Sequence, residues 1–206
     1  MKRLAILGAS GHGKVVADTA ECCGWQQIDF FDDAWPDMTI NGCWSVIGAT
    51  TELLARLDDY NAIVVAIGNN RIRQLKLDEL RAVGANLVTL VHPSAVVSRH
   101  AQIAEGTVVF SGAQINAGAS VGVGAIINTG CSVDHDCLLA DAVHISPGAH
   151  LAGGVKVGSC SWVGIGASVR QLVTLGENVI VGAGAAVVGD VPDGFVVAGV
   201  PAKRIK

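Results

Sequence analysis

A six-residue repeat fills the second half of this chain and constrains its fold more than any other feature. From Val91 to Val187 an aliphatic side chain recurs at every sixth position, which gives seventeen consecutive matches. Four positions after each of them lies a second small residue, from Ala95 to Val191. Val, Ile and Leu make up under a third of the chain, so chance does not produce such a run.

The repeat predicts a parallel β-helix. Six residues are enough for one short strand and one turn, and three such units close a triangular coil of about eighteen residues. The aliphatic side chain points into the prism, the small residue fits near the corner, and the coils stack at the strand spacing of about 4.8 Å. Because no insertion interrupts the period, no long loop is expected to leave the prism. The period alone does not determine the handedness of the helix.

Residues 1–90 follow a different pattern, in which strands alternate with helices. Apolar runs predict four strands, at residues 4–7, 28–31, 62–67 and 87–91. Helical spacing predicts three helices, at residues 15–23, 51–57 and 71–83. This alternation is typical of a small parallel sheet of Rossmann type. We therefore predict two domains, an α/β Rossmann-like domain at 1–90 and an all-β β-helix with a short carboxy-terminal tail at 91–206.

The carboxyl ends of the predicted parallel strands hold the candidate binding residues of the first domain, as expected for such sheets. The turn Gly8-Ala9-Ser10-Gly11-His12-Gly13-Lys14 nearly matches a P-loop, but Val15 stands where that motif needs Ser or Thr. Its glycines also miss the dinucleotide fingerprint, so we expect its backbone N–H groups to bind another anion, such as a nucleotide sugar. Asp32-Asp33 and Gly68 follow the next two strands. The alternative is a set of tight, solvated turns without a ligand.

The predicted prism carries one candidate for acid–base chemistry, the segment Asp134-His135-Asp136. A carboxylate that accepts a hydrogen bond from one imidazole nitrogen raises the basicity of the other, so His135 is a candidate general base. Neighbouring residues in a strand point to opposite faces, and the pairing therefore needs a corner turn or another route, which the sequence does not settle. The sequence leaves open which carboxylate is the partner, and a solvated His on the prism surface is the alternative.

Several other classes of function are disfavoured. The net charge is -4 and no long basic run occurs, so nucleic acid is not expected as a partner. No apolar stretch reaches the roughly 18 residues that span a bilayer, so membrane insertion is not expected either. His135, His144 and His150 match the zinc site of γ-class carbonic anhydrases poorly, and no metal is expected. The six cysteines form no CxxC pair and are interpreted as reduced core residues of a cytoplasmic protein.

Taken together, these segments resemble the PglD/NeuD family of sugar acetyltransferases over the whole chain. The resemblance is carried, in order, by Gly8–Gly13, Asp32-Asp33, Ala66–Asn70, Asn128-Thr129, His135–Cys137, His144–Ser146 and Gly199–Lys203. It implies a left-handed β-helix, acetyl-CoA as co-substrate and a homotrimer with active sites between neighbouring prisms. It also implies a nucleotide sugar as the acceptor, in glycan or polysaccharide biosynthesis.

The resemblance also assigns roles to individual residues. It implies that His135 is the general base and that Asp136, where some family members have Glu, increases its basicity. It implies contacts with acetyl-CoA for His144, Gly153, Ile165, Ala183 and Lys203. It implies contacts with the sugar nucleotide for Ser10, Gly11, His12, Asp32, Asp33, Gly68 and Asn128.

The reaction expected from these roles is a direct acetyl transfer. His135 takes a proton while the amino group of a nucleotide-linked 4-amino-4,6-dideoxy sugar attacks the acetyl carbonyl, and coenzyme A leaves as a thiol. A backbone N–H near Gly153 is expected to stabilise the tetrahedral oxyanion. One alternative is O-acetylation of sialic acid or a related sugar, which would use the same His. Another is a non-catalytic β-helix that acts as a binding module.

Overall fold

The computed structural model describes residues 2–206. The chain divides into two compact units, one that ends at His92 and one that runs from Pro93 to Lys206. The first unit is a small α/β domain, and the second consists of short strands stacked in parallel coils. The predicted fold class, a Rossmann-like domain followed by a parallel β-helix, is confirmed.

The amino-terminal unit is built on a parallel sheet with helices between its strands. Its elements are β1 (Arg3–Leu7), α1 (Gly11–Cys22), β2 (Gln27–Phe31), β3 (Ile40–Asn41), β4 (Trp44–Ser45), α2 (Thr50–Leu54), β5 (Ala62–Val65), α3 (Asn70–Ala82) and β6 (Leu90–Val91). The sheet order is β2-β1-β5, so the first strand lies in the centre. Every residue of β5 is buried, as are the last four residues of β1. The carboxyl ends of three parallel strands therefore meet at one edge.

Three elements of this unit differ from the prediction. Helix α1 begins at Gly11 rather than at residue 15, because the glycine-rich segment forms its first turn. This turn packs closely against Gly8, since a side chain at Gly13 would overlap the Gly8 carbonyl oxygen. The second helix is shorter than predicted and is followed by a 3-10 turn at Leu57–Asp59. The fourth predicted strand contributes only one parallel bridge to the sheet, between Leu87 and Ile63.

The sequence did not reveal the hairpin formed by β3 and β4. Trp44 holds it in place, since its Nε1 donates to Glu21 Oε1 at 2.9 Å. The Trp44 ring also lies edge-on to the buried Phe30 ring, with centroids 6.2 Å apart. Trp44 therefore packs the hairpin against helix α1 and the sheet.

Five of the six cysteines occupy two environments, and Cys160 is half-buried. Cys131 and Cys137 are buried at the small position of the repeat, as predicted. Cys22, Cys23 and Cys43 are exposed, so the prediction that the cysteines are core residues is wrong for the amino-terminal unit. These three lie at the end of α1 and in the β3–β4 hairpin, which are peripheral to the sheet.

The second unit is a regular β-helix. Strands of two residues recur every six positions as β7 (Val96–Val97), β8 (Gln102–Ile103), β9 (Val108–Val109), β10 (Gln114–Ile115), β11 (Ser120–Val121), β12 (Ile126–Ile127), β13 (Ser132–Val133), β14 (Leu138–Leu139), β15 (His144–Ile145), β16 (His150–Leu151), β17 (Lys156–Val157), β18 (Trp162–Val163), β19 (Ser168–Val169), β20 (Thr174–Leu175), β21 (Ile180–Val181) and β22 (Ala186–Val187). The second residue of each strand is the aliphatic residue of the repeat. From Val109 onwards these residues are buried, so they form the core of the prism.

Strands eighteen residues apart pair in parallel, for example Gln114↔Ser132 and Ile126↔His144. This pairing produces the three faces of the prism. We call the sheet that contains β7, β10, β13, β16, β19 and β22 the first face. The sheet of β8, β11, β14, β17 and β20 is the second face, and the sheet that contains β9, β12, β15, β18 and β21 is the third. The first residue of each strand points away from the core.

Each turn of the prism places one residue in the left-handed conformation at the same position of the repeat. From Gly106 to Gly184, every sixth residue has a positive φ. Glycine adopts this conformation without steric cost and fills most of these positions. Asp136, with φ 59°, is one of the few residues with a side chain there. Asp tolerates this region better than most residues, so the turn does not require glycine at that point.

The period changes after Val187, where the sequence repeat also ends. Val181 pairs with Val197 of β23 (Val196–Ala198), so the last coil is shorter than the others. β24 (Lys203–Arg204) then runs back antiparallel to β23. The Arg204 guanidinium lies 3.8 Å from the centroid of the Phe195 ring. The tail thus closes the end of the prism by pairing with it.

Candidate active site

One corner of the prism brings His135 and Asp136 into contact. The His135 Nδ1–H donates to Asp136 Oδ2 at 2.8 Å. Side chains of neighbouring residues in an extended strand point to opposite faces. The left-handed backbone of Asp136, in the turn between β13 and β14, removes this restriction and turns both side chains to the same side. The corner turn that the pairing needs is therefore present, and Asp136 is the carboxylate that contacts the ring.

Asp134, the other neighbouring carboxylate, has a different role. Its Oδ1 accepts the backbone N–H of His135 at 2.7 Å and the side-chain amide of Asn116 at 2.7 Å. Both hydrogen bonds lower the pKa of Asp134, and the one from Asn116 has the larger effect. Asp134 therefore fixes the backbone that carries the imidazole, and contributes a negative charge near it.

The electrostatics of this corner favour a basic imidazole. The hydrogen bond to Asp136 raises the pKa of His135 above its ordinary value of 6.5, and the charge of Asp134 adds to that effect. Both side chains of the pair are exposed, at 63% for His135 and 73% for Asp136. The imidazole can therefore accept a proton from a molecule that binds at the surface of the prism.

Gly153 lies one coil further along the same corner, against the His135 ring. A Cβ atom at Gly153 would overlap Nε2 and Cε1 of the imidazole. The next residue, Gly154, donates its N–H to the His135 carbonyl oxygen at 2.9 Å. The corner therefore provides space for the ring only because residue 153 has no side chain.

A second polar cluster lies on the third face. His144 is the outward residue of β15 and is buried, and its Nε2 lies 3.1 Å from Asn128 Nδ2. The ring of Trp162, one coil further, stacks on the His144 ring with a centroid distance of 5.2 Å. The sequence analysis did not identify Trp162, although its position eighteen residues after His144 was a usable signal.

The remaining residues predicted to contact acetyl-CoA are spread along the prism. Ile165 and Ala183 are exposed in the turns between the third and first faces, eighteen residues apart and therefore in adjacent coils. Lys203 is exposed in β24 at the end of the prism. Within one chain, His135 and Gly153 share one corner, whereas Asn128 and His144 share the third face. The structure of a single chain does not bring these two groups together.

The amino-terminal unit has a cavity of about 220 Å³ at the carboxyl edge of its sheet. Four residues predicted to bind the sugar nucleotide line it: Ser10, Asp32, Asp33 and Gly68. Gly11 and His12 form the first turn of α1 and are not among the lining residues. The cavity wall also contains Gly8, Ile67, Ile72 and Lys76.

The two carboxylates of this cavity have different partners. Asp32 accepts the backbone N–H groups of Ala9 at 2.6 Å and Ala34 at 2.9 Å, so it ties the glycine-rich turn to the end of β2. Asp33 accepts the N–H of Thr50 at 2.9 Å and lies 3.3 Å from Lys76 Nζ. Hydrogen bonds from Thr50 and Lys76 lower its pKa, so Asp33 is ionised at neutral pH.

A buried cation stabilises the floor of the cavity. Arg73 is only 1% exposed, and its guanidinium donates to the Ile67 carbonyl oxygen at 2.9 Å and to Asn70 Oδ1 at 2.8 Å. Burial, and then the charge of Arg73, lower the pKa of His12 to about 4, so His12 is neutral at physiological pH. The sequence analysis missed Arg73 and Lys76; their helical spacing after the Gly68 turn was the available signal.

Two features of residues 2–206 bear on other classes of function. No group of three or more His, Cys, Asp or Glu side chains in this part of the chain is arranged to hold a metal ion. His150, the third His of the zinc alternative, instead has its Nδ1 2.9 Å from Ser132 Oγ on the first face. Among the same residues, no helix has the length and apolar character required to cross a bilayer.

Comparisons with known proteins give consistent matches. A family model described as the PglD N-terminal domain matches residues 3–80. The acetyltransferase domain of PglB from Neisseria gonorrhoeae FA1090, solved in complex with acetyl coenzyme A, superimposes with a TM-score of 0.95 at 46% identity. That superposition covers 99% of each chain.

Two curated relatives are also similar in sequence. A UDP-N-acetylbacillosamine N-acetyltransferase from Bacillus subtilis (strain 168) is 39% identical over 114 residues, which are 54% of this chain and 52% of that protein. The matched region thus spans about half the length of the Bacillus protein. A GDP-perosamine N-acetyltransferase from Escherichia coli O157:H7 is 30% identical over 154 residues, covering 71% of this chain and 68% of that protein.

Proposed function

The chain belongs to the PglD/NeuD family of sugar acetyltransferases, and from that premise we propose that it transfers the acetyl group of acetyl-CoA to the amino group of a nucleotide-linked 4-amino-4,6-dideoxy sugar. The observation that carries this proposal is the contact between His135 Nδ1 and Asp136 Oδ2 at 2.8 Å. The pair is exposed on the prism surface, where an acceptor amine can reach it. A raised pKa makes the neutral imidazole a stronger base than a free His.

In the proposed mechanism His135 acts as the general base. Its Nδ1–H stays bonded to Asp136, and Nε2 takes the proton from the amine as the nitrogen attacks the acetyl carbonyl. The carbonyl oxygen becomes an oxyanion, which an N–H donor stabilises. Collapse of the tetrahedral intermediate expels coenzyme A as its thiolate, which takes up the proton held by the His135 imidazolium and restores the neutral base. The Gly154 N–H already donates to the His135 carbonyl, so the N–H of Gly153 is the proposed donor.

The proposed acetyl-CoA contacts are His144, Gly153, Ile165, Ala183 and Lys203. The Neisseria domain matches nearly the whole chain and was solved in complex with acetyl coenzyme A. This similarity supports acetyl-CoA as the co-substrate. Within one prism, His135 lies at the corner between the first and second faces, whereas His144 lies on the third face. A site that contains both requires the prism of a second copy, and this supports a homotrimer with active sites between neighbouring prisms.

The cavity of the amino-terminal unit is the proposed site for the nucleotide of the acceptor. Asp33, Lys76 and Ser10 offer a carboxylate, a cation and a hydroxyl at its wall, next to backbone atoms of Gly8 and Gly68. Both curated relatives carry names of N-acetyltransferases whose acceptors are nucleotide-linked amino sugars. These names favour an amine over a hydroxyl as the nucleophile.

A thiol-release assay tests the proposal. The acceptors compared are UDP-linked and GDP-linked 4-amino-4,6-dideoxy sugars, free sialic acid and simple alcohols, each with acetyl-CoA and a thiol reagent. The expected result is thiol release at least about ten-fold faster with an amino sugar than with any hydroxyl acceptor. A reaction without protein serves as the control for non-enzymatic aminolysis. Release only with hydroxyl acceptors would favour O-acetylation, and no release with any acceptor would favour a binding module.

A further inference from the structure

Trp162 and His144 form a fixed aromatic pair on the third face of the prism. Strands β15 and β18 are paired with His144 opposite Trp162, so the outward side chains of two adjacent coils lie directly above one another. Their ring centroids are 5.2 Å apart and the ring planes differ by only 9°. The indole therefore covers one side of the imidazole and limits its rotation.

Ser146 fixes the indole in turn. The Trp162 Nε1–H donates to Ser146 Oγ at 2.6 Å, and Ser146 is buried. A rotation of the indole would break this hydrogen bond and leave a buried hydroxyl without it, which is costly. Ser146 lies two residues after His144. The end of strand β15 therefore carries both the imidazole and the hydroxyl that fixes the Trp162 indole.

The third constraint on His144 comes from Asn128. The Asn128 Oδ1 accepts the backbone N–H of Thr129 at 2.8 Å, which orients the amide with Nδ2 towards the imidazole. Asn128 Nδ2 is a donor, so His144 Nε2 at 3.1 Å is the acceptor and the ring proton lies on Nδ1. Stack and hydrogen bond together fix both the plane and the tautomer of the ring.

We propose that Trp162, fixed by Ser146, is a positioning residue that holds the His144 imidazole in the orientation needed to bind acetyl-CoA. The proposal rests on the proposed function, since it takes His144 as a contact of acetyl-CoA. Trp162 is 42% exposed. A solvated tryptophan of this kind is not needed for the core, and its stack and its hydrogen bond to Ser146 are both directed at the His144 segment.

Three variants separate the contributions of the stack and the hydrogen bond. Trp162→Ala removes both, whereas Trp162→Phe keeps an aromatic ring and Ser146→Ala keeps the indole. Aromatic pairs contribute energies that correspond to about a ten-fold change in affinity, and a neutral hydrogen bond corresponds to about three-fold. We therefore expect acetyl-CoA to bind about 30-fold more weakly to Trp162→Ala, which loses both interactions, and about three-fold more weakly to each of the other two.

The measurements are acetyl-CoA affinity by calorimetry without acceptor, and KM and kcat by thiol release with an amino sugar. A positioning role raises the KM for acetyl-CoA and leaves kcat within about two-fold, because His135 and Asp136 are unchanged. Leu138→Ala is the matched control, since Leu138 is the exposed outward residue of a strand on the second face. It should bind acetyl-CoA like the wild type.

The outcomes distinguish this proposal from the proposed function. Wild-type chain that does not bind acetyl-CoA overturns both. If the wild-type chain binds acetyl-CoA but acetylates no amino sugar, only the proposed acceptor is overturned. The acetyl-CoA affinities of the variants then still decide the role of Trp162. Wild-type affinity in Trp162→Ala overturns the positioning role, and so does a fall in kcat at unchanged KM. If Trp162→Ala does not fold, wild-type affinity in both Trp162→Phe and Ser146→Ala has the same consequence.

Discussion

The two units of this chain position their functional side chains in different ways. In the prism, a side chain's face and coil follow from its place in the six-residue period, so residues eighteen apart are neighbours. In the amino-terminal unit, the cavity wall combines residues from the ends of β1, β2 and β5 with residues of α3. The first kind of site is therefore largely readable from the sequence, and the second depends on contacts between segments distant in sequence.

The difference also appears in the hydrogen bonds that hold the carboxylates. Asp136 contacts His135, its immediate neighbour, and the contact needs only a left-handed corner residue. Asp32 accepts the Ala9 N–H, which lies 23 residues away in sequence, and Asp33 reaches Lys76 on a separate helix. We therefore expect substitutions at the His135 corner to affect the chemical step, and substitutions in the amino-terminal unit to affect acceptor binding.

The strongest expected effect is that of His135→Ala. Loss of a general base lowers kcat by about 100-fold to 10,000-fold, because the amine must then lose its proton to water. The affinity for acetyl-CoA, measured by calorimetry, should change little. His150→Ala is the matched control, since His150 is an exposed His on the first face that contacts Ser132. Wild-type turnover in His135→Ala would show that the chemical step does not take place at this corner.

Gly153→Ala should have the next largest effect. The added methyl group overlaps the imidazole of His135, so the ring must move and its hydrogen bond to Asp136 is strained. A displacement of this size lowers kcat by about 30-fold, since small errors in the placement of a catalytic group are costly. The comparison is made by thiol release at saturating substrates.

Gly189→Ala provides the control for Gly153→Ala. Gly189 has no atom within 4 Å of the position of an added Cβ, and its φ is not in the left-handed range. It should retain wild-type kcat. Equal activity in Gly153→Ala and Gly189→Ala would show that the space beside the His135 ring is not required.

Asp136→Asn should lower the rate and move the pH profile. The wild-type base works when neutral, so kcat/KM rises as pH rises through the pKa of His135, which lies above 6.5. Loss of the charge of Asp136 lowers that pKa, so the acidic limb of the profile moves to lower pH. The weaker base also lowers the high-pH plateau, by about ten-fold. Asp134→Asn should cause a smaller shift, because its charge is the second cause of the raised pKa.

A profile that is unchanged in Asp136→Asn would contradict the assignment of Asp136 as the partner of His135. A shift to higher pH would contradict the sign of the electrostatic effect. Both results can be read from kcat/KM between about pH 5 and 9, the range that covers the titration of a perturbed His.

The fold of the prism could be predicted from the sequence because each repeat places the same kinds of residue at the same positions. An aliphatic residue, a small residue and a left-handed corner recur together, and their period fixes the strand register. The sequence also identified His135 as a candidate general base. It could not identify its partner, because that depends on the φ of Asp136, a residue type that does not require the left-handed region.

The amino-terminal unit was predictable only in outline. Strands β1, β2 and β5 were evident as apolar runs, but the hairpin around Trp44 was not, since its four strand residues carry no clear alternation. The glycine-rich turn was predicted to bind a ligand, and its extension into α1 depends on packing against Gly8. Arg73 and Lys76 enter the cavity region through the placement of α3, which the local sequence does not specify.

Lys76→Met should have the smallest effect and tests the amino-terminal half of the comparison. Lys76 Nζ lies 3.3 Å from Asp33 and donates to Thr50 Oγ1 at 2.9 Å, so its loss removes one cation from the cavity wall. Partly exposed ion pairs contribute little, so the KM for the nucleotide sugar should rise about three-fold. The kcat and the KM for acetyl-CoA should not change, and Lys156→Met on the second face should leave all three values unchanged. A fall in kcat in Lys76→Met would contradict the division of binding and chemistry between the two units.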